Sequence, residues 1–223
     1  MLRCNLTKLL LLLIVLIVPT LEGGTVPFYR YSNSNDHFYT TNADEIGTTT
    51  PGALGRFGYR YEAVACEIFP SALSAVNIVP LYRYVSTSSP RHFYSINWQE
   101  IGTHTPGVAT NGYRSEGIAG YVYPTKQPGT CPLYRYIKNR EQRHFYTVNP
   151  CEIGSITPGV VGQHGYRFEQ IAAYVHVQHV SDVSLPGHKF FRNDRDSVGG
   201  GCVFYVKDSV PSVEAARRTD LKS

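Results

Sequence analysis

The sequence has one Trp and one Met among 223 residues, and no apolar run after residue 18 that approaches membrane-spanning length. A spanning helix needs about 20 predominantly apolar residues. The formal net charge is +4, and it is spread along the chain without a run of like charges. We therefore expect neither a nucleic-acid partner nor a membrane span.

The long apolar run that is present lies at the N-terminus, from Leu9 to Val18, behind the basic residues Arg3 and Lys8. This run is too short to span a membrane and is followed by proline and small residues, which is typical of a secretory signal peptide. We predict that residues 1–23 are a signal peptide, that cleavage falls between residues 20 and 25, and that the protein is secreted and extracellular.

Signatures of catalysis and of metal binding are missing. The sequence contains no G-x-S-x-G, H-E-x-x-H or C-x-x-C motif, and these are the spacings that catalytic and zinc sites commonly use. The glycines at 199–201 are not followed by the lysine of a phosphate-binding loop. We expect a protein without enzyme activity, cofactor or metal.

Four cysteines remain once the leader, which carries Cys4, is removed. Cysteines usually form disulfides in an oxidising compartment, and four of them allow three pairings. We favour Cys66 with Cys131 and Cys151 with Cys202.

The most informative feature is a 12-residue segment that occurs three times in similar form: DHFYTTNADEIG from Asp36, RHFYSINWQEIG from Arg91 and RHFYTVNPCEIG from Arg143. Longer copies surround it, starting near residues 26, 79 and 131, and its motifs recur every 52 to 55 residues. A period of this size predicts a repeat architecture, in which one unit alone cannot bury its apolar face.

Each copy predicts short strands and tight turns. The Tyr-Arg-Tyr and His-Phe-Tyr stretches alternate as half-buried strands do, and an Asn with Glu three residues later resembles a capping box that starts one helical turn. Thr-Pro-Gly predicts a type II turn. The last segment of each copy predicts a strand that bends at its small residues.

The composition includes 17 Tyr, 10 Phe, 20 Gly and 14 Pro, which suits an all-β protein with many turns. We predict a closed pseudo-threefold body of three repeats of about 52 residues, because closure pairs strand edges. A β-trefoil is our first choice and a compact three-bladed propeller-like ring the alternative. Residues 26–178 would form this domain, and residues 179–223 a hairpin and a tail.

The motifs Leu-Tyr-Arg, His-Phe-Tyr-Thr and Gly-Tyr-x-x-Glu-Gly-Ile-Ala resemble a secreted tandem-repeat domain of unknown function. That domain occurs in bacteria and eukaryotes and is sometimes attached to extracellular hydrolases. The copy from Val79 matches best, whereas the other two have EAVAC and EQIAA in place of EGIAG. The resemblance covers about two thirds of the chain and implies secretion, but it brings no mechanism.

Three charged or titratable positions recur in every copy, and we interpret all of them as structural. The histidines are expected to pack against equivalent partners and not to gather at a metal. The arginines are expected to pair with the glutamates between aromatic strands. The recurring residues are His37, His92 and His144; Arg30, Arg83 and Arg135; and Glu62, Glu116 and Glu169.

Export, repetition and abundant tyrosine favour a binding module, and we expect lectin-like recognition of glycans or glycoproteins. Trp98 is the first candidate, because Ala43 and Pro150 occupy its position in the other copies. His104 and Asn111 would supply polar groups. The Q-x-W signature of ricin-type lectins is absent. The alternatives are an extracellular structural or protein-interaction role, in a matrix, an egg coat, mucus or an inhibitor, and, less favoured, a hydrolase.

Overall fold

The computed structural model describes residues 24–177 and, for the backbone only, residues 188–193 and 202–207. We call residues 26–69 the first copy, 79–123 the second and 131–176 the third. Ten of the strands belong to these copies: β1 (Val26–Ser32), β2 (His37–Thr40) and β3 (Arg60–Ile68); β4 (Val79–Ser86), β5 (His92–Ser95), β6 (Ala109–Thr110) and β7 (Tyr113–Val122); β8 (Cys131–Lys138), β9 (Arg143–Thr147) and β10 (Arg167–Val175).

The strands form one antiparallel sheet per copy, with the orders β2-β1-β3, β5-β4-β7-β6 and β10-β8-β9. Two further strands, β11 (His188–Asn193) and β12 (Cys202–Lys207), pair with each other. The regular helical structure of the described residues is limited to short 3-10 turns. The all-β prediction is therefore confirmed.

The three sheets contact one another at the ends of their long strands. Backbone bridges join Phe69 with Tyr121, Tyr123 with Tyr174, and Glu67 with His176. The first of these contacts consists of two hydrogen bonds, of 2.9 and 2.8 Å, between backbone N–H and carbonyl groups. Each copy thus bonds to both of the others at this end of the body.

A tyrosine from each copy lies at the centre, and the three are hydrogen-bonded in a cycle. Tyr94 Oη donates to the Tyr39 carbonyl, Tyr146 Oη to the Tyr94 carbonyl, and Tyr39 Oη to the Tyr146 carbonyl, at 2.7 to 2.8 Å. Each hydroxyl also accepts from the backbone N–H of the same tyrosine to whose carbonyl it donates. These side chains are almost completely buried, so all their polar groups are paired inside the core.

The long strands contain β-bulges, and these determine where the repeated glutamates point. In β3 the register shifts so that Ala63 pairs with Arg30 and Tyr61 with Tyr31, which leaves Glu62 between them without a ladder partner. The same shift surrounds Glu116 in β7 and Glu169 in β10. Because a bulge re-aims a side chain, each glutamate reaches the arginine of the neighbouring strand. A second shift, at the small residues of each strand, agrees with the predicted bend.

The predicted turns form, but the capping boxes are only half correct. Gly52 has a φ of +75°, and the Ala53 N–H donates to the Thr50 carbonyl at 3.0 Å, as a type II turn requires. Asn42 caps its 3-10 turn by accepting from Asp44 N. Glu45, however, accepts from Thr40 Oγ1 instead of from the cap. Its carboxylate instead pairs with an arginine of another copy, which is described below.

Cys66 and Cys131 are free thiols, so the predicted bond between them is not formed in this structure. Both pack in the central apolar cluster, where burial raises the pKa of each thiol, to about 11 for Cys131. Cys131 Sγ lies 3.6 Å from the Val175 carbonyl and donates to it. The pairing of Cys151 with Cys202 stays a prediction, since the Cys202 side chain lies outside the described residues.

The predicted signal peptide and C-terminal tail also lie outside the described residues. Within the part of the chain that the structure describes, no helix has the length and hydrophobicity needed to cross a membrane.

Candidate functional site

The copies meet at three equivalent junctions, and an arginine holds each one. Arg83 of the second copy donates to both carboxylate oxygens of Glu45 in the first, at 3.1 and 3.0 Å, and its Nε lies 2.9 Å from Glu116 of its own copy. Arg135 joins Glu100 and Glu169 in the same way, and Arg30 joins Glu152 and Glu62. Each guanidinium therefore bridges two copies through bidentate pairing.

The repeated histidines belong to the same junctions. Each packs at a steep angle against the phenylalanine of the preceding copy: His92 against Phe38, His144 against Phe93 and His37 against Phe145, with ring centroids 4.7 to 4.8 Å apart and interplanar angles of 59 to 67°. The junction arginine covers the same phenylalanine, 5.0 Å from its centroid. The described residues contain no group of three or more His, Cys, Asp or Glu side chains suited to a metal ion.

The junction between the first and second copies is filled by Asp36, which is fully buried. Its Oδ2 lies 2.5 Å from His92 Nδ1 and accepts from Tyr59 Oη at 2.7 Å, while its Oδ1 accepts from His92 N at 3.0 Å. Burial acts to lower the pKa of His92, but the hydrogen bonds to Asp36 and Glu116 outweigh it and raise that pKa. This junction therefore contains a buried, hydrogen-bonded His–Asp pair, which is an ion pair whenever His92 is protonated.

The junction between the third and first copies contains a cavity of about 670 Å³. Arg143 stands where the first copy has Asp36, and it donates to the Asn33 and Ser34 carbonyls at 3.1 Å. Burial, and then the charges of Arg143 and Arg30, lower the pKa of His37 to about 3. His37 is therefore neutral at physiological pH. We call this space the third–first cavity.

The predicted ligand-binding residues lie elsewhere, on the second copy. The rings of Trp98 and His104 are 5.2 Å apart, and His104 is 5.8 Å from Tyr82. Trp98 is half-buried and His104 exposed. Asn111 adopts a positive φ of 50° and donates its amide to the Ile101 carbonyl at 3.0 Å. The structure thus brings Trp98 and His104 together and gives Asn111 a role in the loop.

Sequence reasoning missed Asp36, Arg143 and Tyr166 as site residues. A signal for the first two was present, because the residue before His-Phe-Tyr is Asp in one copy and Arg in the other two. Its meaning depends on the neighbouring copy, since Asp36 contacts a histidine 56 positions away. Within a single copy, the sequence around this position indicates a solvated loop end.

Residues 27–176 match the family described as a domain of unknown function, DUF5648. The chain belongs to this family. The DUF5648 region covers nearly all of β1 to β10, so it contains all three junctions, the third–first cavity and the Trp98–His104 pair. No curated protein and no solved structure matches the chain.

Proposed function

We propose that this protein is a secreted, non-catalytic binding module that recognises carbohydrate through the Trp98–His104 ring pair. The observation that supports it most directly is the contact of these two rings on an accessible part of the second copy, 5.2 Å apart. Sugar C–H faces stack on an aromatic ring, while sugar hydroxyls need a polar neighbour such as an imidazole.

The asymmetry among the copies supports the same assignment. Trp98 is replaced by Ala43 and Pro150, and His104 by Thr49 and Ile156, at the equivalent positions. A ring pair needed for the common fold would recur in all three copies, as the junction arginines and histidines do. The pair is therefore not part of the packing that the three copies share, which favours a role in binding a ligand.

The test is Trp98→Ala on a glycan array. We expect binding to fall at least about tenfold, which corresponds to about 1.4 kcal/mol, because the stacking surface is lost. The matched control is Phe57→Ala, which removes another accessible aromatic ring, 80% exposed, from a different copy. It should leave glycan binding unchanged.

Two outcomes would contradict the proposal: wild-type protein that binds no glycan, or equal binding by wild type and Trp98→Ala. Either would favour the protein-interaction role. That role has support of its own in Leu73 and Val76, which are 84% and 80% exposed between the first two copies, since exposed apolar side chains close together can mark contact surfaces.

We further infer that the body closes as a three-bladed, propeller-like ring and not as a β-trefoil. Each sheet is built from strands of one copy, whereas the contacts between copies run around a cycle of arginines, tyrosines and strand ends. A crystal structure in which strands of different copies form one continuous barrel would contradict this inference.

A further inference from the structure

The third–first cavity carries an inference that is independent of the proposed glycan role. Its volume of about 670 Å³ lies within the range of small-molecule sites. It is lined from one side by Arg30, His37 and Glu62 of the first copy, and from the other by residues of the third copy that include Arg143 and Tyr166.

The first–second junction shows how the equivalent space is filled when a carboxylate is present. There the Asp36 carboxylate is held by His92 Nδ1, His92 N and Tyr59 Oη, at 2.5, 3.0 and 2.7 Å. A buried carboxylate thus occupies the space between the histidine of one copy and the tyrosine of the preceding copy.

In the third–first cavity the two side chains that hold Asp36 recur, but the carboxylate does not. His37 takes the place of His92 and Tyr166 that of Tyr59. His37 Nδ1 and Tyr166 Oη share a long hydrogen bond of 3.4 Å, which a ligand carboxylate would replace, and both residues are more than nine-tenths buried. Arg143 replaces the aspartate and brings a positive charge to the same wall.

We propose that the third–first cavity binds a small carboxylic acid, whose carboxylate takes the place that Asp36 occupies in the first–second junction. Neutral His37 and the Tyr166 hydroxyl would donate hydrogen bonds to it, and Arg143 would offset its charge. Charge-assisted hydrogen bonds of this kind are the strong ones.

The charges of the cavity wall agree with an anionic ligand. The lining residues carry three cations and two carboxylates, and both carboxylates are already paired with Arg30. Lys138 lies 2.7 Å from Glu141, and Arg143 is 3.9 Å from the same glutamate. The terminal nitrogens of Arg143 donate to two backbone carbonyls, but its buried Nε has no hydrogen-bond partner among the described residues and can donate to a ligand. The charged lining residues are Arg30, Lys138, Arg143, Glu62 and Glu152.

The experiment is a titration of the ¹⁵N-labelled full-length secreted protein at pH 7, in which the His37 ring nitrogens are followed by NMR. The probes are sodium acetate, sodium glucuronate and glucose. Acetate and glucuronate should both shift the His37 signals and glucose should not. A tighter response to glucuronate would indicate a sugar-borne carboxylate, and an equal response a free acid. No shift with either carboxylate, or a shift with glucose alone, would overturn the proposal.

Arg143→Asp is the sharpest variant, because it supplies the missing carboxylate from the chain itself. It should abolish the response of His37 to acetate and raise the His37 pKa, as Asp36 does for His92. Arg91→Asp, the same change at the remaining junction, should leave the His37 response intact. Loss of the response in both variants, or in neither, would contradict the proposal.

If Arg143→Asp does not fold, Tyr166→Phe serves as the second variant. It keeps the ring and removes one donor, and we expect acetate to bind about tenfold more weakly. Unchanged acetate binding by a folded Tyr166→Phe protein would overturn the placement of the carboxylate.

Discussion

The first–second and third–first junctions are built from the same parts and differ at one decisive position. Both have an arginine between two glutamates, and a histidine in edge-to-face contact with a phenylalanine. Asp36 fills the first–second junction, whereas Arg143 leaves the other with a cavity. The difference shows that the repeated packing is kept while one position changes from a buried carboxylate to a basic side chain that lines a cavity.

The largest expected difference between the two junctions is in histidine ionisation. The pKa of His92 lies above 6.5 and that of His37 near 3, so their midpoints should lie at least about 3 pH units apart. Titration of the ring ¹⁵N signals from pH 8 to pH 3 measures this. Similar midpoints for the two histidines would contradict the comparison.

The two histidines should also affect stability in opposite directions. His92 binds its proton more tightly when folded, so its stabilisation is complete below pH 6.5 and is lost as the pH rises through its folded pKa. His37 binds its proton more weakly when folded, so it destabilises the fold progressively as the pH falls from 6.5 towards 3. In urea unfolding, His37→Gln should differ from the wild type in its pH dependence between pH 3 and 6.5, and His92→Gln should differ in the opposite sense above pH 6.5.

Asp36→Ala should be the most destabilising of the junction variants. It removes the buried acceptor of His92 Nδ1 and leaves Tyr59 Oη and His92 N without their acceptor as well, at a cost of about 3 kcal/mol. The matched control Arg143→Ala, which loses hydrogen bonds to two loop carbonyls, should cost about 1 kcal/mol. Equal losses of unfolding free energy in the two variants would show that Asp36 contributes no more to its junction than Arg143 does to the other.

Variants of the central tyrosines test the hydrogen-bonded cycle, which is the same in all three copies. Tyr39→Phe, Tyr94→Phe and Tyr146→Phe should each cost about 2 kcal/mol, because each removes one donor and leaves one buried N–H unsatisfied. The three losses should agree within about 0.5 kcal/mol. A much smaller loss for one variant would mean that the cycle is not closed.

The smallest expected effect is at the junction between the second and third copies. His144 Nδ1 is buried there without a hydrogen-bond partner, and Arg91 occupies the Asp36 position. Arg91→Asp should give this atom an acceptor and stabilise the protein by about 1 kcal/mol. Arg114→Asp, a change of equal charge at an exposed strand position, is the control and should not stabilise.

Sequence reasoning predicted what depends on local chemistry. The all-β class and the Thr-Pro-Gly turns follow from residue alternation and from the positive φ that glycine allows. It erred at Glu45, because the side chain that competes with the cap is Arg83, 38 positions away. It could not identify Tyr39 as a central residue, since a tyrosine in a half-buried strand pattern is equally consistent with a sheet face or a core.

The tyrosine cycle also fixes the number of copies. In a solenoid each repeat contacts only its neighbours, so repeats can be gained or lost during evolution with the interfaces preserved. Here each tyrosine bonds through its hydroxyl to the backbone of one other copy, and its own backbone N–H and carbonyl bond to the hydroxyl of the remaining copy. A two-copy chain would leave buried donors and acceptors unpaired, and a fourth copy would have no place in the cycle. Natural variants of this protein should therefore diverge within their copies, as the Asp36 and Arg143 positions already do, while retaining three.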